Sequence, residues 1–97
     1  MVVYKITNTI NNKVYIGLTT RTLKIRWAQH KTQAKFSPDI PLYRAMNKYG
    51  IEAFAIEIIH EGTTLQEIQH MEQTLISQYN SQVHSGYGYN VTYGGES

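Results

Sequence analysis

The stretch that most constrains this chain is residues 2–17, VVYKITNTINNKVYIG. Two runs rich in valine, isoleucine and tyrosine flank a polar segment in which Asn8, Asn11 and Asn12 supply turn chemistry. That combination predicts a β-hairpin. Alternation along a strand puts Tyr4 on a face with Val2 and Ile6. It puts Tyr15 on a face with Gly17, opposite Val14, Ile16 and Leu18. A hairpin can bring the two phenols together, and Gly17 lets another group approach the backbone beside Tyr15. Tyrosines also simply suit strands, and taken alone that plainer reading suffices for both.

Beyond the hairpin, Thr20 is a good helix N-cap, and residues 21–36, RTLKIRWAQHKTQAKF, read as a helix. Leu23 and Trp27 mark its inward stripe. Arg26 and His30, four apart, share a neighbouring face, and Lys24, Lys31 and Lys35 form a basic stripe beside it. Ser37-Pro38 ends the helix. A short helix over 41–49 starts at a favourable proline, turns Leu42, Ala45 and Met46 inward and is capped by Gly50. Residues 54–59, FAIEII, are apolar on both faces but for Glu57 and predict the central strand. Thr64 and Glu67 have capping-box spacing. A helix over 65–79 follows, with Leu65, Ile68, Leu75, Ile76 and Tyr79 as its apolar stripe. Glu72 interrupts that stripe. A carboxylate there is costly unless it is paired or holds a metal, and both readings stand. The segment from Asn80 onward is rich in glycine and tyrosine. Its Gly86-Tyr87-Gly88-Tyr89-Asn90 predicts a turn whose aromatics pack back on the domain, with Asn90 bonding backbone groups. The order β-β-α-α-β-α predicts an α/β (α+β) fold, a small, mainly antiparallel three-stranded sheet flanked by helices. We expect one domain over 1–97, with 91–97 a tail or the start of a linker at Gly94-Gly95.

Ninety-seven residues suffice for one modest core. The chain has no cysteine, so disulfides and thiolate zinc sites are excluded. His60, His70 and His84 have no zinc-site spacing. No run approaches the roughly 18 apolar residues of a membrane span, and no signal peptide is visible, so a soluble, cytoplasmic protein without membrane contact is expected. The net charge of +2 hides an asymmetry. All nine Lys and Arg lie at or before Lys48, against one acid, Asp39, which leaves that half at +8. The six remaining acids, all glutamates, make the rest −6. A one-sided basic half is the footprint of a polyanion partner, unless the two halves neutralise each other in the fold.

The ordered set Tyr4, Tyr15, Arg26, His30, Glu72, Asn90 carries a resemblance over essentially the whole chain. The sequence resembles GIY-YIG nuclease domains, of the kind at the N-terminus of phage-type homing endonucleases. The second motif is intact as Tyr15-Ile16-Gly17. The first, Val2-Val3-Tyr4, keeps the tyrosine but has valine in place of glycine. The family's helix arginine matches Arg26, the histidine one turn later His30, the metal-binding glutamate Glu72 and the late asparagine Asn90. The segment 44–50, RAMNKYG, also looks like homing nucleases. Two departures stand out. Ser37 occupies the place of a further histidine found in some homing members, and Leu18 that of a lysine found in repair members.

The resemblance implies a metal-dependent endonuclease acting on double-stranded DNA, phage-encoded or prokaryotic, with Tyr4, Tyr15, Arg26, His30, Glu72 and Asn90 as its site. Glu72 would hold one Mg²⁺, with Mn²⁺ able to substitute, and Arg26 would bind the scissile phosphate through its planar fork. Tyr4 or Tyr15 would position the water or act as general base. For that second role, its phenol pKa of about 10 would have to be lowered by Arg26, the metal or a lysine. His30 would accept or orient the tyrosine's proton. Asn90 reads more naturally as a structural tie than as a catalyst. Lys24, Lys31 and Lys35 would contact DNA phosphates without reading sequence. Homing relatives carry a separate DNA-recognition region, and duplex cleavage by one site needs a transient dimer or repositioning of a monomer. Two other readings are an inactive GIY-YIG-fold module that binds nucleic acid, and a structure-specific repair or restriction nuclease.

Overall fold

The computed structural model describes residues 1–91. The expected linker start at Gly94-Gly95 lies outside the described residues. The hairpin is present: β1 (Val2–Asn8) pairs antiparallel with β2 (Val14–Thr19), Tyr4 opposite Gly17 and Ile6 opposite Tyr15. Its turn is held by the asparagines. Asn8 Oδ1 accepts from the Ile10 amide and Asn11 Oδ1 from the Lys13 amide, both at 3.0 Å. Asn12 takes the positive φ of 64° that asparagine tolerates.

Helices α1 (Leu23–Phe36) and α2 (Pro41–Tyr49) follow, then a 3₁₀ turn (Ile51–Ala53), β3 (Phe54–Glu61) and α3 (Leu65–Tyr79). Thr64 caps α3 by accepting from the Glu67 amide, as its spacing predicts. The cap of α1 falls two residues later than expected. Thr22, not Thr20, accepts from the Ile25 amide, because Thr19 and Arg21 close an intervening turn through the Thr19 hydroxyl.

The sheet order is β2-β1-β3. The expectation that β3 is central is therefore wrong: β1 is central and β3 is an edge. An apolar run on both faces predicts a strand covered on both sides. In β3 that covering is incomplete, and Ile58 remains 44% exposed. β1 occupies the middle although it carries Lys5, because Lys5 lies opposite Glu57 and pairs with it at 3.1 Å.

Alternation gives the sheet two apolar faces. On one, Ile6 meets Ala34 of α1, Leu42, Ala45 and Met46 of α2, and Phe54 and Tyr89. On the other, Val3, Ile16 and Leu18 meet Ile68 and Ile76 of α3. Truncating any of the larger residues here to alanine costs about 2–5 kcal/mol. Two members of the predicted α3 stripe, Leu65 and Tyr79, lie at its ends and stay largely exposed.

The last described segment closes the free edge of β2. Tyr89 donates its amide to the Val14 carbonyl, and Val14 donates to the Tyr87 carbonyl. Asn90 continues the ladder with its side chain: Oδ1 accepts from the Ile16 amide and Nδ2 donates to the Ile16 carbonyl, each at 2.8 Å. The side-chain amide thus stands in for a peptide group and covers an edge that would otherwise offer unpaired donors and acceptors. Tyr89 packs back as predicted, whereas Tyr87 is 65% exposed.

Candidate active site

Four aromatic rings meet on the α1–α2 side of the sheet. The register places the Tyr4 ring over Gly17, where a Cβ would overlap the ring. The group that Gly17 admits is therefore its own cross-strand neighbour. Tyr15 lies beside Tyr4, with ring centroids 6.4 Å apart. His30, one turn after Arg26 on α1, stands edge-on to both tyrosines at 5.7 Å. Tyr43 of α2 closes the group from the far side of the imidazole.

A line of hydrogen bonds runs through these rings. Arg26 Nε donates to the Tyr4 hydroxyl at 3.2 Å. That hydroxyl is 2.6 Å from His30 Nε2. His30 Nδ1 is 2.8 Å from the Tyr43 hydroxyl, which donates to Gln33 Oε1 at 2.6 Å. Tyr4 and His30 are buried, Tyr15 and Arg26 are half-buried, and Gln33 is exposed. The outer part of Arg26 lines an open cleft of about 480 Å³ with Arg21, Gln29, Gln33, Thr19, Thr20, Leu18 and Leu65.

Burial dominates the electrostatics. It holds the Tyr4 phenol well above its ordinary range, reinforced by Tyr15 and opposed by Arg26. Tyr15 is pushed up to about 12, again mainly by burial, with Tyr43 and Glu72 adding to the rise and Arg26 opposing it. Burial, with the Arg26 charge behind it, drives His30 down to about 3, so the imidazole is neutral near pH 7. Burial works against the Arg26 charge as well, but the surrounding phenols outweigh it and its pKa is raised. In this state neither Tyr4 nor Tyr15 has the lowered pKa that the sequence reading asks of a tyrosine base.

Glu72 is 4% exposed on α3, between Ile68 and Ile76. Its carboxylate engages its surroundings and is felt by Tyr15. Asn90 sits in the β2 edge, where Ser81 Oγ also donates to its Oδ1, so its side chain ties the β2 backbone to Ser81. Lys24, Lys31 and Lys35 are exposed. A helix turns about 100° per residue, which aligns these three lysines along one line. The same rotation places Arg26, Gln29 and Gln33 on the other side of α1, toward the cleft. The structure does not bring the lysine stripe to the cleft.

Sequence reasoning missed Tyr43, Gln33 and Arg21. Tyr43 lies three residues before Met46 on the inward stripe of α2, which was a signal for burial. Nothing in the sequence tells what its hydroxyl meets.

A three-stranded antiparallel sheet between helices, with paired tyrosines, an arginine and a buried glutamate, is the arrangement of a nuclease-type domain. Residues 1–90 match the GIY-YIG catalytic domain, and the chain belongs to that family. Among solved structures it superposes on the catalytic domain of homing endonuclease I-TevI with a TM-score of 0.78 at 32% identity, over 94% of this chain and 97% of that one. A glutamate-to-alanine variant of the same domain gives 0.82 at 30% identity, over 98% and 96%. Intron-associated endonuclease 1 of Enterobacteria phage T4 is 33% identical over 92% of this chain and 36% of its own length. Uncharacterized protein 019R of Invertebrate iridescent virus 6 is 36% identical over 81% of this chain and 29% of its own. The chain thus spans about a third of the length of these curated relatives. Among the described residues, no helix is long and apolar enough to cross a membrane.

Proposed function

We propose that this domain is a divalent-metal-dependent endonuclease that hydrolyses phosphodiester bonds of double-stranded DNA, as a catalytic module of the homing type. The observation that carries the reading is Arg26 at the rim of an open cleft, anchored from behind by Tyr4 at 3.2 Å. With Nε occupied, the outer nitrogens of the guanidinium remain for two oxygens of a phosphate, a match that a lysine cannot reproduce. Nη1 rests on Gln29 Oε1 at 3.3 Å, a neutral contact that a phosphate displaces.

Tyr15, half-buried where Tyr4 is fully buried, would orient the attacking water. Its hydroxyl both accepts and donates, so it can hold a water in line with the phosphorus. Glu72 would hold the metal. Among the described residues no group of three His, Cys, Asp or Glu gathers to form a cage. One hard carboxylate suits Mg²⁺, which keeps most of its waters and takes one or two protein ligands. Mn²⁺ would serve as a substitute. When bound, such an ion supplies positive charge at the phosphate.

The test is nicking of supercoiled plasmid, with Mg²⁺ and with a chelator, by the wild type and by Glu72→Ala. We expect metal-dependent nicking that the variant loses while its circular dichroism is unchanged. Equal nicking by both proteins, or nicking that survives the chelator, would refute the role of Glu72. Metal-independent binding without nicking, even when the domain is tethered to a DNA-binding module, would leave a GIY-YIG fold that only binds.

A further inference from the structure

The line Arg26–Tyr4–His30–Tyr43–Gln33 has a direction, and proton counting fixes it. Arg26 Nε carries a hydrogen that it can only donate. The Tyr4 oxygen accepts it, at 3.2 Å. Tyr4 is 0% exposed, so its own hydroxyl proton needs a buried acceptor, and His30 Nε2 lies at 2.6 Å. Nε2 must then be bare, and the proton of the neutral imidazole resides on Nδ1. Nδ1–H faces the Tyr43 oxygen at 2.8 Å, which accepts it. The Tyr43 proton passes outward to Gln33 Oε1 at 2.6 Å. Each hydroxyl accepts on one side and donates on the other, and no donor meets a donor.

We infer that Tyr43 is a positioning residue for Arg26, acting through His30 and Tyr4. This rests on the reading of Arg26 as the group that holds the phosphate. Tyr43 accepts the His30 Nδ1–H and holds the imidazole in place. The bare Nε2 takes the Tyr4 proton and turns the Tyr4 oxygen toward Arg26, and that oxygen aims the guanidinium into the cleft. The arrangement follows the logic of a reacting group oriented by a base that a third group orients in turn, here spent on aim rather than on proton transfer. Without the Tyr43 hydroxyl, the buried Nδ1–H has no partner. The imidazole then tilts in search of another acceptor, and its bare Nε2 no longer holds the Tyr4 hydroxyl in one direction. His30 is neutral over the working range of pH, because burial and Arg26 both oppose its charge. Tyr4, Tyr15, Tyr43 and Arg26 are the titratable groups around it, and the aim therefore does not loosen in mild acid.

The experiment is ¹⁵N-resolved NMR of the free domain, which reads the chain of bonds whether or not the protein cuts DNA. In the wild type we expect His30 Nδ1 protonated and Nε2 bare, with the Arg26 Nε–H slow to exchange with solvent. In Tyr43→Phe we expect His30 Nδ1–H and Arg26 Nε–H both to exchange with solvent roughly tenfold or more faster. We also expect kcat for nicking to fall about 10- to 100-fold with KM changed less than about threefold, the pattern of lost aim. A Tyr43 that served packing alone would lower stability and leave exchange at His30 and Arg26 unchanged. Protonation of Nε2 in the wild type overturns the inference without any variant, and so does unchanged Arg26 exchange in a folded Tyr43→Phe. If the wild type fails to nick DNA, the nuclease reading fails while the NMR result still decides the direction of the line.

Discussion

His30 shows at the scale of one residue how burial turns a titratable group into a fixed one. Its pKa is depressed to about 3, by desolvation first and Arg26 second, against an unfolded value near 6.5. The unfolded chain therefore binds a proton that the folded chain refuses between these two values. Protons favour unfolding in that window, so the His30 contribution is intact above about pH 6.5 and is lost as pH falls toward 3. Between about pH 7.5 and pH 5 this amounts to about 2 kcal/mol. Urea midpoints for the wild type and His30→Gln at these two pH values measure it. We expect the wild type to lose more stability than the variant, and equal losses would show that His30 accepts its proton without cost. Arg26 and His30 were legible in the sequence because four-residue spacing puts two side chains on one helix face. Their roles were less so, since the direction of a hydrogen bond depends on Tyr43, which reaches the imidazole from another helix.

At the scale of elements, the sequence revealed what periodicity encodes and missed what strand order decides. The hairpin, α2 and α3 follow from local signals: asparagines in a turn, Pro41 and Gly50 at the ends of a helix, Thr64 and Glu67 at a cap. The centrality of β1 does not, because apolar content reports how a strand's faces are covered and says nothing of which neighbours it pairs with. Asn90 was readable as a tie, but its imitation of a peptide group on the β2 edge needs the fold to be seen. Helix α1 holds the sharpest test of element geometry. Its lysines 24, 31 and 35 lie around the helix from Arg26, while Arg21 lines the cleft with Arg26. Under the proposed function, Arg21→Glu should weaken binding to a short duplex more than Lys24→Glu, Lys31→Glu or Lys35→Glu taken singly. A direct phosphate contact is worth more than a charge acting from across a helix through screened solvent. Fluorescence anisotropy decides it, and a larger loss from any one of the lysines would place the DNA over the other face of α1.

For the whole molecule, the decisive quantity is the unequal distribution of charge, +8 in the first 48 residues and −6 in the rest. Folding brings the halves together at points such as the Lys5–Glu57 pair, yet cations still collect in two separate recesses. Arg21 and Arg26 share the cleft. Lys13, Arg44 and Lys48 surround a second groove of about 250 Å³, with Asn11, Tyr49 and Tyr89 in its walls. Such a surface favours the phosphate backbone, whose contacts position a duplex without reading its sequence. The domain should therefore bind duplex DNA weakly, with a Kd on the order of 10⁻⁴–10⁻⁶ M near physiological salt, and with little preference for sequence. If about four phosphates are neutralised, affinity should fall roughly 100-fold between about 50 and 200 mM salt. The triple change Lys13→Glu, Arg44→Glu, Lys48→Glu should flatten the plot of log K against log salt if the second groove carries part of the contact. An unchanged slope would confine the DNA to the Arg26 cleft. Tight binding that survives high salt and responds to sequence would mean that this domain reads bases itself.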